Sequence, residues 1–300
     1  MARNSDPGTP AARPAVSVIV PFSGSQARAD EVCARLSSLA LSDRDELILV
    51  DNSPAALREP RPPVRRLRAI GERSSYHARN AGTAAAANEW VLFMDSDCRP
   101  RAADLLDRLF ARPIDSRCGA VAGAIVDVAE REGLLAEHAR TRRYLDQTRP
   151  LSSQPPFALT ANLMVRRAAW AAVGGFCEGI RSGGDRDFCW RLQEAGWSLG
   201  YSETAAVDHI HPDRLRPALR KFVRYGAGAA WLSRRHPSLG STRPPLVAGL
   251  GRAIAGALVW TLTLKPRRAA LKLLDGLVII AMNIGYLHDN RPPRLRDSPE

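Results

Sequence analysis

Four apolar residues, VLFM (91–94), run straight into Asp95 and Asp97. Carboxylates at i and i+2 fall on one side of a chain that stays extended. Hard divalent cations such as Mg²⁺ and Mn²⁺ take oxygen ligands, which such a pair supplies. A side-chain turn closing a strand is the plainer use of the same residues. A second cluster, VDHIHPD (207–213), sets His209 and His211 two residues apart. Imidazole accepts Mn²⁺ better than Mg²⁺. A hydrogen-bonded loop histidine is the alternative, and His211, which precedes Pro212, is the weaker ligand of the two. A third, GGDRDFCWRLQEAGW (183–197), opens with Asp185 and Asp187. Asp after Gly suits a helix N-cap, and Asp187 can pair with Arg191 at i+4 on the same helix face. Asp51 opens Asp-Asn-Ser-Pro, a sequence that also suits a turn.

These residues need elements to hold them. The β-branched run AVSVIVPF (15–22), ended by Pro21 and Phe22, reads as a buried strand. ELILVDNS (46–53), RPPVRRLRAI (61–70), WVLFMDSDC (90–98) and CGAVAGAIVDV (118–128) read as four more. Helix periodicity or composition marks 29–39, 78–89 and 103–111. ALTANLMVRRAAWAAVGGF (158–176) reads as a short strand and a helix stopped by Gly174-Gly175, and 183–197 as a helix ended by Gly196. Alternating strands and helices predict an α/β sheet with helices on its faces. Ser23, Asp51 with Asn52, and Asp95 with Asp97 close three of its strands. In open α/β sheets the ligand sits outside the carboxyl ends of the strands, so the three sets are expected on one rim.

Charge divides the chain differently. The net charge is +12, but residues 1–211 hold 27 basic and 26 acidic side chains against 16 and 5 in residues 212–300. A basic end favours anionic lipid, nucleic acid or diphosphate. No groove-reading or base-stacking motif supports nucleic acid. The five cysteines are scattered without a CxxC or zinc spacing, which predicts reduced thiols in a cytosolic compartment. Residues 1–14 are polar and Pro-rich and read as a loose tail rather than a signal peptide.

Taken in order, VSVIVPF, LILVDNS, ARNAG, FMDSDC, NLMVRRAAWAAVGGF and GDRDFCWRLQEAGW resemble the blocks of family 2 glycosyltransferases with the GT-A fold, a Rossmann-like mixed sheet flanked by helices. The resemblance covers residues 15–212 as a catalytic domain. It implies a nucleotide-diphosphate sugar donor and a divalent metal, Mn²⁺ or Mg²⁺. Pro21 and Asp51 would then face the donor nucleoside, and Arg79 its phosphates. Asp95 would reach the ribose or the metal's waters, and Asp97 would bind the metal. Asp185 would be the base that takes the acceptor hydroxyl's proton, and Asp187 would organise the site. His209, 24 residues beyond Asp185, would be a further metal ligand. Gly174 and Gly175 would bring backbone N–H groups to the substrate, and Trp190 and Trp197 would either line an acceptor site or lie in the core. Family members usually carry an acid just before the base; this chain has Gly184.

Residues 213–300 are expected as a basic helical region. DRLRPALRKFVRYGAGAAWLSRRHP (213–237) places Leu215, Leu219, Phe222, Val223 and Ala230 on one side. It resembles a helix that follows the catalytic domain in some bacterial members. The QxxRW motif of processive synthases is absent, which implies one sugar per encounter. The apolar stretches 246–264 and 271–287 are interrupted by Arg252, Lys272 and Asp275 and joined by KPRR. An in-plane hairpin at an anionic membrane surface, on the cytosolic side, accommodates those charges. Helices covering the catalytic domain are the alternative. The expected activity is inverting, metal-dependent, non-processive transfer to the hydroxyl of a lipid-linked or surface-glycan acceptor, with nucleic acid excluded as a partner. A non-catalytic nucleotide-sugar-binding scaffold, suggested by Gly184, and a nucleotidyltransferase remain as other readings.

Overall fold

The computed structural model describes residues 13–239 and 243–292. All but the last two residues of the expected 1–14 tail lie outside the described residues. The first part runs β1 (Val16–Phe22), α1 (Gln26–Leu36), β2 (Glu46–Asp51), β3 (Val64–Arg68), α2 (Ser75–Ala85) and β4 (Trp90–Met94). Next come β5 (Cys98–Pro100), α3 (Leu105–Leu109), β6 (Cys118–Ala129), α4 (Leu134–Arg142) and α5 (Thr148–Leu151). Then follow β7 (Asn162–Arg166), α6 (Arg167–Ala172), α7 (Gly184–Glu194) and β8 (Ser198–His211). The chain closes with α8 (Leu215–Arg235), a 3₁₀ turn (Pro237–Leu239), α9 (Leu246–Leu262) and α10 (Pro266–Tyr286).

All eight strands form one sheet in the order β3-β2-β1-β4-β7-β6-β8-β5. β1 pairs in parallel with both β2 and β4, so their carboxyl ends, with Asp51 and Asp95, share one rim as expected. β7 runs antiparallel to β4 and β6, which makes the sheet mixed. Alternation with period two assigns each strand's side chains to two cores. Val18, Val20, Leu47, Leu49 and Leu92 pack on the side of α1 and α3. Ile19, Ile48, Val50, Val91 and Phe93 pack on the side of α2, α6 and α7.

Three differences from the sequence reading have physical causes. The alanine run does not carry α2 to residue 89. The helix stops at Ala85 because tertiary donors and acceptors capture the backbone beyond it. Glu46 Oε1 accepts from Ala87 N at 2.6 Å, and Arg65 and Arg167 donate to the carbonyls of Ala85 and Ala86. β8 was not foreseen, because its polar and small residues, SLGYSETAAVDHIH, lack the apolar alternation of a half-buried strand. β5 is three residues long and exists only as the partner of β8.

The basic C-terminal region packs on the rest. Gly226 of α8 and Gly285 of α10 face each other's backbones: a Cβ on Gly226 would overlap the Met282 carbonyl, and one on Gly285 the Val223 carbonyl. Glycine permits this approach because it has no side chain. Phe222, Val278 and Ala281 fill the contact, with Tyr144 against Phe222 at 4.9 Å between ring centroids. Asp275, which interrupts the apolar pattern of α10, points inward. It accepts from Arg142 through both oxygens (2.6 and 2.5 Å) and lies 3.0 Å from His138 Nε2. Burial would raise this carboxyl, but His138 and Arg142 outweigh it and hold its pKa down at about 2. The opposite face of the α9–α10 pair is apolar and exposed, including Val247, Leu258, Leu262, Leu273 and Leu287. α10 is long and apolar enough to cross a membrane by length and composition, and α9 is shorter. Leu215, expected on the packed side of α8, is exposed at its first turn.

The helix contact predicts that Gly285→Ala lowers stability by about 3 kcal/mol, the upper end of ordinary overpacking, because backbone rather than a side-chain tip must move. Gly251→Ala is the control, since a Cβ there would meet nothing within 4 Å. Thermal unfolding should show a fall for the first and an unchanged or higher midpoint for the second; equal midpoints would refute the close contact. Asp275 gives a pH signature. Its folded pKa is depressed, so its contribution is complete above the unfolded carboxyl pKa of about 3.9 and is lost as pH falls toward about 2. Asp275→Asn is therefore expected to lower stability at neutral pH and to flatten the pH dependence between those values. An unchanged acid slope in chemical denaturation would remove Asp275 as its source.

Candidate active site

The carboxyl ends of the strands open into a cavity of about 1160 Å³. Its lining includes Asp95, Asp97 and His209, and also Asp185 with Tyr76. The β5–β8 pairing brings the first three together. After β4 the chain turns through Asp95–Asp97, with Cys98 N donating to Asp95 O at 2.9 Å. It then pairs Cys98 directly opposite His209. Ile210 N donates to Asp97 O, and Arg35 Nη2 holds the Ser96 carbonyl at 3.1 Å. The turn and the histidine are thus fixed by backbone bonds on two sides.

The ligand atoms of Asp95, Asp97 and His209 lie within 4.8 Å of one another. His209 Nε2 is 3.4 Å from Asp97 Oδ1. Asp97 Oδ1 and His209 Nδ1 are shut away from solvent yet make no hydrogen bond. A buried polar atom without a partner is costly, and a cation would satisfy the oxygen. Two carboxylates and one imidazole are a donor set that a divalent ion of the Mn²⁺ type fits. Burial holds the His209 imidazole below its ordinary pKa, against the pull of Asp97 and aided by Lys221, so the ring is neutral and able to ligate. His211 faces the same way but pairs with Asp127 at 2.6 Å. Asp127, His209 and His211 form a second group of ligand atoms within 4.8 Å. Asp127 carried no signal in the sequence, because its strand pairing with β8 is a tertiary fact.

Arg79, 3 % exposed on α2, donates to Asp95 Oδ1. It thereby aims that carboxylate, while its Nε stays buried without a partner. Asp51 is fully buried. It accepts from Ser53 N (3.0 Å), Leu57 N (3.1 Å) and Arg68 Nη1 (2.7 Å), which closes the loop after β2. Burial would raise its carboxyl, yet these donors hold it below the usual range. Pro21 is buried in β1 opposite Val50. Pro21, Asp51 and Arg79 sit on the rim beside the cavity rather than in its lining.

Asp185 lies in the first turn of α7, but Gly183 (φ +89°) is the N-cap, so the carboxylate is not spent on capping. Its Oδ2 accepts from Thr160 N (3.1 Å) and Thr160 Oγ1 (3.2 Å). Tyr76 Oη accepts from Gly184 N at 3.0 Å, and a Cβ on Gly184 would meet the Tyr76 ring at 2.7 Å. Burial, with Asp185 beside it, pushes the Tyr76 phenol well above its ordinary pKa, so it stays protonated.

Asp187 does not reach the cavity. It is fully buried, takes Arg191 Nε at 2.9 Å on one oxygen, and meets Arg235 Nε (2.6 Å) and His236 Nε2 (2.9 Å) on the other. Arg191 in turn donates to the carbonyls of Val173 (2.5 Å) and Gly175 (2.8 Å). Gly174 and Gly175 (φ +70° and +73°) make the expected tight turn. Their N–H groups are bonded to Ala171 and Trp170, which leaves neither N–H aimed at a substrate and departs from the expectation. Trp190 is core: it is 7 % exposed, packs edge-on to His236 at 5.1 Å and donates to Pro155 O. Trp197 packs beneath Gly119. Sequence reasoning missed Tyr76, Thr160 and the cavity cations Arg181, Arg186 and Lys221. Lys221, one of three lysines in the chain, was the one with a compositional signal.

Comparisons with known proteins agree with this geometry. The family described as glycosyl transferase family group 2 matches residues 90–287. A pre-mycofactocin glycosyltransferase of Mycobacterium tuberculosis is 37% identical over 177 residues, 57% of this chain and 37% of that relative. The glycosyltransferase AglE of Haloferax volcanii is 29% identical over 158 residues, 52% of this chain and 51% of that relative. The chain thus spans between about a third and a half of the length of these curated relatives. A solved structure of the mannosyltransferase PcManGT from Pyrobaculum calidifontis, in complex with GDP-Man and Mn²⁺, superposes with a TM-score of 0.62. It is 17% identical and covers 93% of this chain and 88% of its own. That likeness concerns the fold, which is the GT-A fold. With two thirds of its length matched by the family, this chain belongs to glycosyl transferase family group 2.

Proposed function

We propose that the chain is an inverting, metal-dependent, non-processive glycosyltransferase, moving a sugar from a nucleotide-diphosphate sugar to a hydroxyl acceptor at a membrane surface. The observation that carries the reading is the joint placement of Asp95, Asp97 and His209 in a cavity whose lining also holds Asp185. The relatives' names and a fold that elsewhere holds GDP-Man and Mn²⁺ support it.

A divalent ion on Asp97 and His209, with Asp95 beside it, would neutralise the diphosphate as it leaves. Arg79 aims Asp95 through its hydrogen bond. Lys221, whose charge is felt at His209, faces the leaving diphosphate from α8. Thr160 fixes one oxygen of Asp185, and that carboxylate takes the acceptor's proton. As it does so, the acceptor oxygen bonds the anomeric carbon and the bond to the diphosphate breaks, its electrons leaving with the phosphate. One displacement inverts the anomeric centre. Asp51 serves the donor side indirectly, by ordering the loop at residues 53–57. Asp187 serves by holding α7 to α8, and through Arg191 the Gly174-Gly175 turn. We read residues 15–212 as the catalytic domain and 213–300 as the basic helical region, with α8 forming a wall of the cavity.

The exposed apolar face of α9 and α10 is read as lying in the plane of an anionic bilayer, at its cytosolic side, consistent with a lipid-linked or surface-glycan acceptor. Charge complementarity supports that occupant. Trp260 at the hairpin tip carries Lys265 and Arg268 over its ring, at 5.3 and 4.8 Å, the aromatic and basic pairing suited to headgroups. Asp275 is turned inward, toward Arg142 and His138.

Thermal shift with a panel of nucleoside diphosphates tests the donor site. One of them is expected to stabilise the chain only with Mn²⁺, and Asp97→Ala should abolish that metal effect. Asp185→Asn should keep it and lose sugar transfer roughly 100- to 10,000-fold. No stabilisation by any diphosphate, or a metal effect that survives Asp97→Ala, would sink the assignment. Vesicle flotation tests the membrane reading. Binding to phosphatidylglycerol vesicles should exceed binding to phosphatidylcholine. Leu258→Glu with Leu262→Glu should weaken it at least about tenfold, given the burial free energy of two leucines; equal binding of wild type and variant would refute it.

A further inference from the structure

Six cations line the cavity: Arg149, Arg181, Arg186, Arg220, Lys221 and Arg224. Among the described residues none of them has a carboxylate within ion-pair distance, whereas Arg79, Arg191 and Arg235 beside the same site are all paired. Arg149, Arg220 and Arg224 are exposed, and water can serve them. Arg181 and Arg186 are half-buried. The Arg181 Nε is closed off from solvent without a hydrogen-bond partner. The Arg186 guanidinium lies over the Phe157 ring at 4.4 Å and makes no hydrogen bond among the described residues. Leaving charge half-buried and unpaired is costly, so the arrangement suits a group that arrives from outside.

The donor does not balance these charges. A sugar diphosphate with one divalent ion is close to neutral. Arg79 already matches Asp95, and Lys221 stands nearest the Asp97–His209 end. Arg181 and Arg186 flank Asp185 in the chain, and Asp185 is the carboxylate whose field reaches Arg186. They therefore belong to the side of the cavity where the acceptor hydroxyl must lie. Their loop is held firmly. Arg181 N donates to Asn290 O (2.9 Å), and Asn290 Nδ2 donates to Ser182 O (2.8 Å). Ser74 Oγ donates to Ile180 O (2.8 Å), and Gly228 of α8 packs so closely on Ser182 that a Cβ would sit 2.7 Å away. Arg181 on this fixed loop and Arg186 in the first turn of α7 thus offer two guanidinium groups on ordered backbone, a group suited to phosphate oxygens. Phe157, Leu159, Val223, Leu232 and Met282 add an apolar floor.

We propose that Arg181 and Arg186 seat a phosphate ester of the acceptor beside Asp185. The proposal rests on the glycosyltransferase reading above and narrows its acceptor to an anionic class.

Calorimetric titration of the full chain with decyl phosphate, methyl phosphate and decyl glucoside, in Mn²⁺ buffer, tests it. Decyl phosphate is expected to bind, and Arg181→Gln with Arg186→Gln to weaken it by at least about tenfold. Arg181→Gln alone should weaken it in part, and the double Lys variant should recover some of the loss. Methyl phosphate binding as tightly as decyl phosphate would assign the seat to a water-soluble phosphate ester, and much weaker binding to a lipid-borne one. Decyl glucoside binding as tightly as decyl phosphate would overturn the proposal, as would a double Gln variant with undiminished affinity. The diphosphate thermal shift separates the two readings. Its absence in wild type would sink the donor site while leaving the phosphate titration readable. Its loss in the double Gln variant alone would show that the arginines serve the donor, and would overturn this proposal.

Discussion

The Asp187 carboxylate is the constraint on which the closed cavity depends. It is fully buried and joins three side chains from two helices: Arg191 of its own α7, and Arg235 and His236 at the end of α8. Burial would raise this carboxyl; Arg235, Arg191 and His236 together hold it below its ordinary range. A buried charge that loses one partner costs about 3–5 kcal/mol, so α7 and α8 are not free to part. α7 carries Asp185, and α8 carries Lys221 and the cavity's outer wall. One ion cluster therefore ties the helix that carries Asp185 to the helix that carries Lys221.

The same logic makes the basic C-terminal region part of the site. α8 is clamped at a second point, where Gly226 and Gly285 let it touch α10 backbone to backbone. It is clamped at a third where Gly228 rests on Ser182. Asn290, just beyond α10, then reaches back to the loop that carries Arg181. α10 in turn is tied to α4 by Asp275, His138 and Arg142. If the outer face of α9 and α10 meets lipid, the layer that touches the membrane is separated from the reacting groups by a single helix contact.

The sheet and its rim were legible because β1, β2 and β4 are buried on both faces, and such strands announce themselves as apolar runs. Asp97 and Asp185 were legible because motif blocks preserve their spacing. The distant half of the site was not. β8 is built of small and polar residues, and its pairing with β5 and β6 is decided by register rather than by its own composition. Asp127, Thr160 and Tyr76 reach the site from three separate elements and follow no spacing rule. The depth of Asp187 and Trp190 was open in the sequence for a related reason. Both lie on α7 close to Asp185, but 3.6 residues per turn sends them to the buried side. The charge excess of residues 212–300 was plain in the sequence. Its division into Lys221 facing the cavity and Lys265 and Arg268 at the hairpin tip needed the fold.

Gly184, where the resembled family usually carries an acid, has a reason in the packing. The Tyr76 ring fills the space a side chain at 184 would need, and its hydroxyl takes the Gly184 N–H. Tyr76 lies on α2, one turn before Arg79, whose guanidinium sits 5.7 Å from the ring centroid and reaches Asp95. A single helix thus places a neutral hydroxyl beside Asp185 and a guanidinium on Asp95. An acid at 184 would displace that ring, and with it the helix that aims Asp95. Glycine at this position therefore lets the Tyr76 ring stand beside Asp185 where a side chain would otherwise lie. Asp185 itself keeps a fixed oxygen on Thr160 and a place in the cavity wall.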